Sequence, residues 1–207
     1  MIITKQQLVK VSACSGGIEW FEKKKDHSLV ALVEAAISDK TFTDSKGKTS
    51  NTLEFANWAI VRIMSRRQGA QYACYAARQV LKNYTDKYPN DDRPLKAIEA
   101  AEEWMENPSA SAASAAYGAA SAAYSAAYGA ADSAASAAAI AASAAYSADS
   151  VADSAADSAA DSAAYSAADG AADGAAYRMR AKILRYGVKL LLEILRGEND
   201  NHKTAVS

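Results

Sequence analysis

One row of residues in this chain has the types and spacing for recognition chemistry: Asp149, Asp153, Asp157, Asp161, Tyr165, Asp169 and Asp173, each four residues from the next. On an α-helix that step advances about 6 Å along the axis. Successive carboxylates then stand roughly as far apart as phosphates along a nucleic-acid strand. A protein that binds nucleic acid could take such a row for its substrate, so the row points to protein recognition. Two blander readings stay open. The row can be a solvated face that keeps an alanine-rich helix in solution, or it can pair with basic residues of the last helix. Like charges at i, i+4 repel by a few tenths of a kcal/mol, about 0.2–0.5 per pair.

The other candidates for chemistry are sparse. Asp91, Asp92 and Arg93 could bind a metal or phosphate, but a helix cap before Pro94 explains them at lower cost. His27 and His202 are the two histidines, one in a charged loop and one near the C-terminus, which argues against zinc or a His-based catalytic system. Cys14 and Cys74 have no CxxC spacing and read as inert buried thiols; a bridge between them stays open. There is no P-loop and no GxGxxG. Accordingly no catalytic residue, no metal site and no cofactor is expected.

The elements that must position the row come next. Residues 109–177 contain 36 alanines in 69 positions and no proline. Alanine pairs recur with a mean step of about 3.7 residues, near the helical period and far from the strand period of two. From residue 155 onwards every step is four, which turns the row by about 40° each time on an ideal helix. Gly118, Gly129, Gly170 and Gly174 stand where Ser stands in other repeats, and read as small-residue substitutions within a continuing helix. A turn at Asp169-Gly170 or Asp173-Gly174 is the alternative. Tyr117, Tyr124, Tyr128, Tyr146, Tyr165 and Tyr177 are the tract's aromatics, suited to holding it against the N-terminal domain or to partner contact.

The flanking segments also read as helical. Thr4 with Gln7 and Asn51 with Glu54 match capping boxes. "CSGG" reads as a break at Gly16 and Gly17, "DKTFTDSKGKTSN" as a polar loop, and "SRRQG" as a helix end. Helical spacing continues through Leu29–Ile37, Leu53–Met64, Ala70–Tyr84 and Leu95–Met105. The fold class is therefore all-α: an N-terminal helical bundle (1–108), an Ala-rich helical tract with the acidic row (109–177), a C-terminal amphipathic helix (178–196) and a disordered tail (197–207).

Charge is segmental. Residues 109–177 carry seven Asp and no Lys or Arg, while residues 178–207 carry seven basic groups against three acidic ones; the whole chain has a net charge of −1. Overall balance therefore indicates neither direct nucleic-acid binding nor membrane association. No apolar run reaches the ~20 residues of a membrane helix. The expected location is the cytoplasm of a bacterial host cell.

"SACSGGIEWF", "NWAIVRIMSR" and "YPNDDRPLKAIEAAEEWMENPS", followed by the Ala-rich tract and a final amphipathic helix, resemble the immunity proteins with an Imm-5-like domain, found in bacteria and phages. The resemblance runs over nearly the whole chain, with "DDRP-KAIEAA" its most specific part. It implies a non-enzymatic protein whose partner is a toxin or, on a phage, a defence-system protein. That partner could itself bind nucleic acid. The alternative from another class is a structural Ala-rich helical protein, scaffold or ice-binding, with no single tight partner.

Overall fold

The computed structural model describes residues 1–130, 158–160, 162, 163, 166 and 174–204. The described residues are mainly helical, as the all-α reading expects. They fall into two compact units, residues 1–63 with 184–207 and residues 64–183.

The first unit starts with three short helices. α1 (Lys5–Lys10) opens with the expected capping box: Gln7 N–H donates to Thr4 Oγ1, and Thr4 N–H donates to Gln7 Oε1. α2 (Ser15–Glu22) contains Gly16 and Gly17 instead of being interrupted by them. The reason is close packing. A Cβ on Gly17 would lie 2.1 Å from the Phe55 ring, and one on Gly16 would lie 3.0 Å from both Phe42 and Asp44. α3 (Leu29–Asp39) is capped by Ser28 and buries Leu29, Leu32, Val33 and Ala36 on one face.

The segment read as a polar loop forms a small antiparallel hairpin, β1 (Thr41–Thr43) and β2 (Thr49–Asn51), with Phe42 opposite Ser50. Three-residue strands are too short to show an alternation signal. Asp44 shapes the turn by accepting the N–H groups of Lys46 and Lys48, and Gly47 supplies φ of +82°. α4 (Thr52–Val61) follows directly, capped by Asn51. Thr52 is fully buried, and its hydroxyl donates to the Ala36 carbonyl at 2.6 Å, tying α4 to α3. Trp20, Phe42 and Phe55 meet edge-on or tilted, and Phe55 stacks on Trp58. Trp20 and Phe42 of this cluster are buried in the core of the unit with Leu53, Ile60 and Val61.

The second unit begins at Met64. "SRRQG" starts a helix instead of ending one: Ser65 and Gln68 form a reciprocal capping box for α5 (Arg66–Thr85), and Gly69 lies inside it. α5 buries Tyr72, Ala73, Ala76, Ala77, Val80 and Tyr84. α6 (Arg93–Glu106) has Pro94 in its first turn, and α7 (Ala110–Ala130) is capped by Ser109, which accepts the Ala112 N–H. α7 turns Ala116, Ala120, Ala123 and Ala126 inwards, a single face at helical spacing. Ala120 and Ala123 pack with Ala97 of α6, methyl against methyl, so the two backbones come close together.

The last helix, α8 (Ala175–Thr204), is preceded by Gly174 at φ of +86°. This corrects the reading of Gly174 as an interior substitution: a left-handed residue ends helical continuity, and glycine adopts it without steric cost. Ala181 and Ile183 of α8 are buried in the second unit. Leu184, Val188, Leu190 and Leu191 belong to the first and are buried as well. There the Arg185 guanidinium makes a paired contact with the Glu34 carboxylate, both bonds 2.8 Å, and holds that carboxyl below its ordinary range. Among the described residues no helix is long and apolar enough to cross a membrane.

Two glycines with opposite surroundings test this packing. Gly17→Ala is expected to cost about 1–3 kcal/mol in urea denaturation, because its methyl meets Phe55. Gly118 in α7 has nothing within 4 Å of its Cβ position. Gly118→Ala is therefore expected to stabilise the protein by about 0.5–1 kcal/mol.

Candidate partner-binding surface

Asp149, Asp153, Asp157, Asp161, Tyr165, Asp169 and Asp173 all lie outside the described residues. Their described neighbours show how this part of the tract is seated. Residues 158–160, 162, 163 and 166 are helical. Ala159, Ala160, Ala163 and Ser166 are buried, at positions i, i+1, i+4 and i+7 of one helical face. Ser158 is exposed, Ser162 is half-buried and Ser166 is buried. That progression is the rotation of about 40° per four residues that an α-helix imposes.

Ser166 is held from α5. The Asn83 amide donates to the Ser166 carbonyl at 3.1 Å and to its hydroxyl at 3.0 Å, both inside the second unit. Sequence reasoning passed over Asn83. The available signal was a polar residue three positions after buried Val80 and next to buried Tyr84.

The Asp91–Arg93 group is structural. Tyr84 is almost completely buried, and its hydroxyl donates to Asp91 at 2.6 Å. Arg93 adds its backbone N–H and its guanidinium to the same carboxylate. The guanidinium first, then the Tyr84 hydroxyl, hold Asp91 well below the usual carboxylate range. Burial and the neighbouring carboxylate push the Tyr84 phenol up to about 12. Asp92 occupies the cap position of α6 without a side-chain cap bond; Asp91 accepts the Arg93 N–H instead.

The remaining candidates are also accounted for. Cys14 is exposed, contrary to the buried reading, because it caps α2: its Sγ accepts the Gly17 N–H at 3.4 Å. Cys74 is buried, its thiol pushed up to about 12, and both thiols are free. His27 stacks on Phe21 with ring centres 4.1 Å apart. The His202 side chain lies outside the described atoms. Tyr117 is 57% exposed, so it does not act as a buried lock for the tract. A cavity of about 50 Å³ in the first unit is lined by side chains such as Leu8, Phe21, Leu29, Val33 and Ile60 and gathers no titratable group. Among the described residues no three His, Cys, Asp or Glu side chains are placed to hold a metal.

Among the described residues the second unit is a helical body with a packed alanine face. Residues 59–183 match the Imm-5 like putative immunity protein family, and the chain belongs to that family. The match starts in α4, so "SACSGGIEWF" lies outside it and the resemblance covers less of the chain than expected. It coincides within a few residues with the second unit. No curated protein and no solved structure matches the chain.

The corner at Asp91 predicts a pH dependence. Its folded-state pKa is depressed, so its contribution is complete above the unfolded value of about 3.8 and is lost as pH falls through the lower folded value. Asp91→Asn is expected to lower stability at pH 7 by about 1–2 kcal/mol. The gap between wild type and variant should narrow progressively in urea titrations as pH falls below about 4.

Proposed function

We propose that this protein is a non-catalytic inhibitor that binds a toxin or a bacterial defence component and covers its functional surface. The contact is the row Asp149, Asp153, Asp157, Asp161, Tyr165, Asp169 and Asp173, and the partner is a protein that itself handles nucleic acid. Membership of an immunity-protein family supports an inhibitor-type role with a protein partner. Such families are in general non-catalytic.

One observation carries the assignment to the row. Ala159, Ala160, Ala163 and Ser166 take the inward face of the second unit. On a helical projection Asp157, Asp161 and Tyr165 fall opposite those inward positions, and the four-residue step carries Asp149 and Asp173 round towards them. Seven Asp and no Lys or Arg within residues 109–177 then give a surface of a single sign. A surface of that kind steers a basic partner and makes its association salt-dependent.

The test starts with affinity capture on the full chain from bacterial lysate, identification of the captured protein, and calorimetry with the purified pair. Replacing Asp153, Asp157 and Asp161 together by Lys is expected to weaken binding at least tenfold between 50 and 200 mM salt. A short DNA duplex should compete with the wild-type protein for the partner. Affinity and salt dependence that survive the triple reversal would remove the row from the mechanism.

A further inference from the structure

We draw no further inference here: the strongest candidate, the open cleft of about 510 Å³ in the first unit that the hairpin, α4 and the α1–α2 connection border, with Ser12, Cys14, Phe42, Asn51, Phe55 and Trp58 on its walls, carries nothing because nothing in the structure shows what covers it.

Discussion

Helices that meet through alanine meet through their backbones. In the second unit Ala97 of α6 faces Ala120 and Ala123 of α7, and Ala159, Ala160 and Ala163 are buried within two per cent of complete exclusion from solvent. A methyl group extends only to Cβ, so such contacts leave no room for a longer side chain. They also gain little each, about 0.8 kcal/mol per buried CH2-sized group. The architecture therefore combines tight steric exclusion with weak energetic discrimination. Larger residues must supply the free energy, and polar contacts must supply the alignment.

Both kinds of support are visible. Tyr72, Tyr84, Val80, Ile98 and Ile183 bring bulk to the unit that contains the tract, and Trp20, Phe21, Leu53, Ile60 and Val61 bring it to the other. Alignment comes from a handful of polar points: the Ser65–Gln68 box, the Asp91 corner with Tyr84 and Arg93, and the Ser109 cap. The family match covers the unit in which these points occur.

Helical content was legible because period carries it: the alanine pairs, the Leu29–Ala36 face and the Ser28 and Thr4 caps all repeat known spacings. Glycine was misread in both directions, for one reason. Gly16 and Gly17 sit inside α2 because Phe42 and Phe55 press on them, and Gly174 breaks the chain with a positive φ where repeat pattern suggested continuity. Neither neighbour contact nor dihedral angle is written in local sequence. The hairpin at 41–51 was hidden by its length, and the start of α5 by an ambiguous Ser65 that can end one helix or begin another. In the tract, the buried alanine face at Ala159, Ala160 and Ala163 could be inferred from spacing. Asn83 could not, since its partner is 83 residues away in sequence.

Enlarging one inward alanine of α7 and one outward neighbour tests the close-packing claim most directly. Ala123 is fully buried, and Ser121 two positions away is exposed. Urea denaturation of Ala123→Leu should show a loss of about 1–3 kcal/mol or no cooperative transition at all, with Ser121→Leu close to wild type. An Ala123→Leu protein as stable as its parent would mean that the alanine faces have room to spare, and would contradict the account.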